Sequence, residues 1–412
     1  MFGFSKARER TAPTVNVDLL AGLRPLTGAP TSTLARLVAS ASTSQAASGL
    51  VALEDTPGRM DFLLRGNLQI QTRTGSMLLL KAGSRQACFP LPRANQVTSM
   101  FAIETCTLLH LPENELPAAP SLEAEAATTT SDGEAEALAR LRDQLAGGNQ
   151  ELPSLPDLAL KISQAIDSKD TSNDDIARLI QIDPALTARL LSVVNSSAFG
   201  GVSKITSVQQ AVSRLGRNKV RSLVYSCLLK SIFKIQSPVL KKTMESLWQH
   251  SAHVAALSFV LGRQTPGIDP EQAMLAGLVH DIGAIAAIDG ISRYSKLAEN
   301  ETSLKRAIDQ LRVELGIKTL QHWGLCDEFG PVIRHAEDWH RIGSAIPDNA
   351  DIVVLAQMHA MIGTPRMSTL PRISEIPAFD KLTNSEMTPR QSLNLLEEAA
   401  GEVREVHALI SA

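Results

Sequence analysis

Residues 276–283 read Ala276-Gly277-Leu278-Val279-His280-Asp281-Ile282-Gly283, an adjacent histidine and acid set into an otherwise apolar run. A polar pair in such a run ends against a core, where it must find a hydrogen bond or a ligand. Neutral imidazole and carboxylate are good ligands for a divalent metal, and a carboxylate beside a metal can orient water for attack on phosphorus. His250 points the same way, because Leu247, Val254, Leu257 and Leu261 recur around it at helical spacing. The plainer reading is a set of buried histidines satisfied by hydrogen bonds. His253, His322, His335 and His340 belong to the same half of the chain.

Working outward, nearly all of that half has helical period. Asn173-Asp174-Asp175 caps a segment with Ile176, Leu179 and Ile180 on one face, and Pro184 opens a helix carrying Leu186, Leu190, Val193 and Val194. Further helices are expected over 207–215, 220–233, 244–262, 271–282, 303–323, 350–362 and 388–410. No period repeats, so a solenoid is not expected. Pro365, Pro371, Pro377 and Pro389 predict an extended wrap before a last helix with Leu393, Leu396, Val403, Val406 and Leu409.

Toward the N-terminus the pattern changes. Between 112 and 137 the composition collapses to Ala, Glu, Pro, Ser and Thr, too polar to offset its ordering entropy. Before it, Leu68, Ile70 and Thr72 alternate with polar neighbours, Thr74-Gly75-Ser76 makes a hairpin turn, and Met77 to Leu80 and 100–111 read as strands. Short helices are expected around 34–46. The fold class is therefore multidomain, with a β-rich N-terminal domain at 1–112 and an acidic linker at 113–137. An all-α domain at 138–345 and a C-terminal helical extension at 346–412, packing on it, complete the chain.

The chain has 412 residues, 44% hydrophobic and 20% charged, enough for sizeable cores. Cys88, Cys106, Cys227 and Cys326 have no paired spacing, which excludes a thiolate zinc module and a disulfide scaffold and fits a reducing cytoplasm. No signal segment and no apolar run of membrane-spanning length is expected, so a membrane is not an expected partner. The net charge of −3 is a cancellation: 94–139 holds eight acids and no base, and 184–244 holds ten bases and no acid. Within the second stretch, Arg214, Arg217, Lys219 and Arg221 form a candidate basic interaction face, suited to an acidic protein surface more than to nucleic acid, given few aromatics for base stacking.

The helical half resembles the HDOD domain. Leu152-Pro153-Ser154-Leu155-Pro156 opens the match, followed by Ile182-Asp183-Pro184 through Leu191 and by Val194-Asn195-Ser196-Ser197-Ala198-Phe199-Gly200. Ser207 to Arg214-Leu215-Gly216, Leu247-Trp248-Gln249-His250-Ser251, the 276–283 run and Gly316 through Leu325 continue it. The signature positions are Asp183, Pro184, Asn195, Ser196, Phe199, Leu215 and Gly216. The resemblance implies an all-α relative of the HD phosphohydrolases, found mostly in bacterial signalling proteins and generally lacking a complete metal site. Set against an active HD enzyme, His250, His280 and Asp281 match, Gln357 stands where the closing Asp would fall, and Arg312 and His335-Ala336 stand where a subgroup has histidines. An amide is a poor replacement for a carboxylate and a guanidinium repels a divalent cation.

In the N-terminal half, Phe62-Leu63-Leu64-Arg65-Gly66-Asn67-Leu68-Gln69-Ile70, Gly75, Leu80 to Ser84 and 102–111 resemble a cyclic nucleotide-binding β-roll. Its phosphate Arg falls on Gln96, and Phe89-Pro90-Leu91-Pro92 replaces its ribose-binding Gly-Glu, with Arg85 and Arg93 as substitutes. The prolines have no N–H to offer a ligand. The resemblances together imply a cytoplasmic regulatory protein: a degenerate β-roll, and an HDOD output domain acting on other signalling proteins without turnover. No catalytic residue, no metal and no cofactor are expected; His250, His280 and Asp281 are the remnant of a metal site. A homodimer is compatible with this reading, and neither nucleic acid nor cyclic nucleotide is the expected partner. The alternative is a metal-dependent HD-type phosphohydrolase acting on a nucleotide, and a lesser one is nucleic-acid or cyclic-nucleotide binding.

Overall fold

The computed structural model describes residues 14–52, 56–73, 75–116, 152–199, 204–382, 394, 397 and 399–411. The expected linker lies outside the described residues from 117 onward. The chain divides into two units, one of 1–124 with 340–347 and 376–387, the other of 125–339 with 348–375 and 388–412.

In the first unit, helices α1 (Val17–Ala21) and α2 (Thr31–Ser40) precede strands β1 (Ser42–Ala46), β2 (Gly49–Leu50), β3 (Arg59–Arg65), β4 (Asn67–Thr72), β5 (Met77–Lys81), β6 (Val97–Ala102) and β7 (Cys106–Pro112). They pair antiparallel as β1-β7-β3 and β2-β6-β4-β5. Alternation sets the faces: Leu68, Ile70 and Thr72 point inward from β4, while Met77 and Leu79 of β5 stay exposed. One core gathers Leu63, Leu68, Ile70, Leu80, Phe89 and Met100. A second holds Leu20, Leu26, Leu34 and Leu37 of the helical segment against Phe62, Leu109 and Leu111.

Two local expectations change here. The helix around 34–46 ends at Ser40, because the Ser-Thr-Ser-Gln sequence beyond it pairs with β7, Ser42 opposite His110 and Ala46 opposite Cys106. The single strand at 100–111 is two, with a turn at 103–105.

The second unit is helical: α3 (Asp157–Asp167), α4 (Asn173–Gln181), α5 (Pro184–Val194), α6 (Val208–Leu215), α7 (Arg217–Leu229), α8 (Pro238–Gln264), α9 (Pro270–Val279), α10 (Ile282–Ile291), α11 (Ser295–Ala298), α12 (Glu301–Trp323), α13 (Cys326–His335) and α14 (Asn349–Ala360). Helix α15 (Pro377–Leu382) belongs to the first unit and α16 (Ala400–Ser411) to the second. The C-terminal extension is thus divided between the units. The reason is chemical: Asp380 of the buried α15 pairs with Arg24 and Arg85, and Gln86 donates to the Lys381 carbonyl at 2.9 Å.

Contrary to the sequence expectation, 270–291 is long and apolar enough to cross a membrane by composition. Yet 89% of its most apolar window is buried in the fold, so its hydropathy serves packing.

Candidate functional site

The chain breaks between α9 and α10 at the His-Asp pair. His280 sits at the end of α9 and Asp281 leaves helical geometry, with φ −113° and ψ 21°. Glycines on either side let neighbouring helices approach. A Cβ on Gly277 would stand 2.6 Å from Ala255 Cα on α8, and one on Gly283 would overlap the backbone of α12 at Arg312 and Gly316. The first approach seats His280 against the helix carrying His250. The second sets Asp281 beside Arg312.

His280 is buried, and its Nδ1 lies 2.7 Å from the Gly277 carbonyl, so this nitrogen is the donor. Nε2 then faces Asp281, 3.4 Å from Oδ2. The His250 and His280 rings meet edge to face at 5.3 Å, and one ligand atom from each of His250, His280 and Asp281 falls within 4.8 Å of the others. Burial, with His280 adding to it, pushes His250 down to about 4. Gln357, fully buried on α14, neighbours His250, and neither of its amide atoms has a hydrogen-bond partner of good geometry among the described residues.

The second carboxylate oxygen of Asp281 is taken. Arg312 Nη1 donates to Oδ1 at 2.9 Å, while Nη2 donates to Glu337 Oε2 at 2.5 Å. Arg366 holds the other oxygen of Glu337 at 3.3 Å. Burial acts against both charges, but each outweighs it for the other. Asp281 is held well below the usual carboxylate range by His280, Arg312 and His250, and Arg312 is raised by Asp281 and Glu337. The site can therefore keep a carboxylate ionised in a core, with a fixed cation on one side and two imidazoles on the other.

The other histidines singled out in the sequence do not join this group. His322 and His340 are exposed, His335 lies 3.1 Å from Asp338, and His253 meets His407 at 6.2 Å between ring centroids. The family signature residues shape backbone. Asp183 caps α5 through the N–H groups of Ala185 and Leu186, with Pro184 in the first turn. Asn195 exchanges two hydrogen bonds with the Ile205 backbone, Phe199 lies on Phe259 at 4.7 Å, and Leu215 precedes the left-handed Gly216 joining α6 to α7. Ser196 Oγ is buried with no partner among the described residues.

The candidate basic face is largely consumed inside the helical unit. Arg217 donates to Asn173, Thr171 and Ser168; Lys219 pairs with Glu271 at 2.9 Å; Arg221 pairs with Asp167 and Glu328. Arg214 is the exposed member of the four, the others being half-buried, and it too has an interaction. In the first unit Arg93 pairs with Glu113 at 2.9 Å, and Gln96 accepts from the Arg93 N–H. Sequence reasoning missed Glu337, because nothing local marks an acid on the loop after α13 as the partner of Arg312.

Residues 152–339 match the HDOD domain. A protein of Treponema pallidum (strain Nichols), itself uncharacterized, is 25% identical over 220 residues, half of this chain and 41% of that one; the match thus spans well under two thirds of the relative. Among solved structures, a candidate metal-dependent phosphohydrolase from Shewanella amazonensis SB2B superposes with a TM-score of 0.58 at 20% identity, over 68% of this chain and all of that one. An HDOD domain protein of unknown function from Geobacter sulfurreducens matches at 22% identity with a TM-score of 0.45, over 67% of this chain and 98% of that one. At 20% identity the first of these two likenesses is one of fold.

Proposed function

We propose that this chain, whose residues 152–339 match the HDOD domain, is a regulatory protein whose helical domain acts by binding other signalling proteins, without turnover. The observation that carries the proposal is the guanidinium of Arg312 on Asp281. It supplies, from within the chain, the positive charge that a divalent ion would otherwise bring to this carboxylate. The remaining donors fit a metal poorly: two imidazoles and one carboxylate oxygen stand beside a fixed cation, and the next buried group is the amide of Gln357. His250, His280 and Asp281 then work as a buried polar cluster that positions α8, α9 and α12.

In the same reading the β-rich unit serves for docking within a cytoplasmic regulator. Arg85 and Arg93, offered by the resemblance as substitutes for the phosphate-binding Arg, are engaged with Asp380 and Glu113. Adding cyclic nucleotide is therefore expected to leave the thermal midpoint unmoved, since only a ligand of the native state raises it.

The alternative, a metal-dependent phosphohydrolase, is favoured by one observation, the convergence of His250, His280 and Asp281. Metal content of the purified chain, measured with phosphodiesterase and phosphomonoesterase turnover after loading with manganese, iron or zinc, separates the two. The interaction reading expects sub-stoichiometric metal and turnover indistinguishable from that of Asp281→Ala.

A further inference from the structure

We propose that α16 is a built-in occupant of a helix-binding groove on the helical unit, and that the groove's external ligand is an acidic amphipathic helix of a partner protein. This rests on the interaction reading above and names the surface and the kind of partner.

Helix α16 lies against the helical unit by one stripe, with Val403, Val406 and Ile410 buried. Val193, Phe199, Leu223, Cys227 and Met274 lie beneath it. Polar clasps ring this apolar floor. Near its N-terminal end Arg263 pairs with Glu402, and Ser197 donates its backbone N–H to Glu405 at 2.9 Å and its hydroxyl to the same carboxylate. At the C-terminal end, where a helix leaves carbonyls unsatisfied, Arg189 donates to the Ile410 carbonyl at 3.4 Å and Lys230 to that of Ser411.

Two features set this apart from ordinary packing. Much of the floor and rim comes from 184–244, a stretch with no acid, which supplies Ser197 to Glu405 and Arg189 and Lys230 to the carbonyl end, while Arg263 from α8 holds Glu402. The groove is also wider than its occupant: an open cleft of about 690 Å³ runs beside α16, lined by Leu191, Asn195, Lys204 and Ile205 together with Glu405 and Leu409. A helix of this length is only marginally stable by itself, so α16 depends on the groove for its helicity, and releasing it costs little beyond the contacts named. A partner helix with aliphatic residues at i, i+3 and i+7 and acids in its first turns makes the same contacts and adds the cleft.

Cys227 supplies a reporter. Its thiol is buried in the floor and pushed up to about 11, so it resists alkylation while α16 is seated. The test uses the full chain, iodoacetamide with peptide-resolved mass spectrometry, and a fluorescent peptide of residues 399–412. In Val406→Asp, Cys227 alkylation is expected to rise at least tenfold. The peptide is expected to bind this variant at least tenfold more tightly than the unaltered chain, and a peptide carrying the same substitution is expected not to bind. A folded Val406→Asp chain whose Cys227 stays protected, or that takes up no peptide, overturns the proposal. If that variant loses its helical circular dichroism, Glu402→Lys with Glu405→Lys decides: no gain in alkylation or peptide binding overturns it equally. Failure of the peptide leaves the interaction reading standing with its surface elsewhere, whereas metal-dependent turnover removes that reading without touching the peptide result.

Discussion

Removing the guanidinium of Arg312 leaves Asp281 and Glu337 mostly buried without their shared cation. Breaking such a pair from one side strands a charge, and with the partial exposure here Arg312→Ala is expected to cost about 2 kcal/mol in urea unfolding at neutral pH. Arg312→His is the sharper probe. It removes the resident cation and adds a donor, so manganese is expected to raise its melting temperature and to leave that of the unaltered chain where it was. Acid titration tests the buried imidazoles. Burial pushes His359 down to about 4, and burial with His280 does the same to His250. A depressed folded value means the unfolded chain takes up protons first. Stability is therefore fully present above about pH 6.5 and is lost as pH falls toward 4, by on the order of 2–3 kcal/mol for each group. The thermal midpoint is expected to fall by several degrees from pH 7.5 to pH 5, and His359→Leu to flatten that slope; a midpoint indifferent to pH contradicts the assignment.

At the scale of elements, the break between α9 and α10 depends on backbones meeting. On Gly283 an added methyl meets the main chain of α12, which cannot rotate away, so Gly283→Ala is expected to destabilise by about 2–3 kcal/mol. Gly401 on α16 faces open space, and Gly401→Ala is expected to stabilise by up to about 1 kcal/mol through helix propensity. Opposite signs for the same chemical change, read from denaturant midpoints, check the packing directly. Much of this level was legible in the sequence, because helix ends are written locally: Asp183 and Pro184 open α5 where the residues predict, and the apolar faces follow the 3.6-residue period. The clustering of His250, His280 and Asp281 was legible through the family resemblance. The ion pairs were not. Arg217, Lys219 and Arg221 read as an open basic face, because their partners Asn173, Glu271, Asp167 and Glu328 lie tens of residues away in sequence. Arg312 reads in the sequence as a residue that repels a metal; its role as the cation of Asp281 and Glu337 needs the tertiary fold.

For the whole molecule, the near-neutral charge separates into a basic stretch at 184–244 and an acid-rich one at 94–139, before it in sequence. The basic stretch neutralises acids of its own unit and holds the carbonyl end of α16, instead of presenting one continuous face. The chain also returns to the β-rich unit after the residues that match the HDOD domain, at 340–347 and again at α15. No period in the sequence marks that return, since the pairing of Asp380 with Arg24 and Arg85 spans most of the chain. Non-catalytic regulation is the central claim, and metal stoichiometry measured together with phosphohydrolase turnover tests it most directly. The account predicts well under one equivalent of manganese, iron or zinc per chain and no turnover above that of Asp281→Ala. One tightly held equivalent, with phosphodiester hydrolysis that disappears in Asp281→Ala, would contradict it.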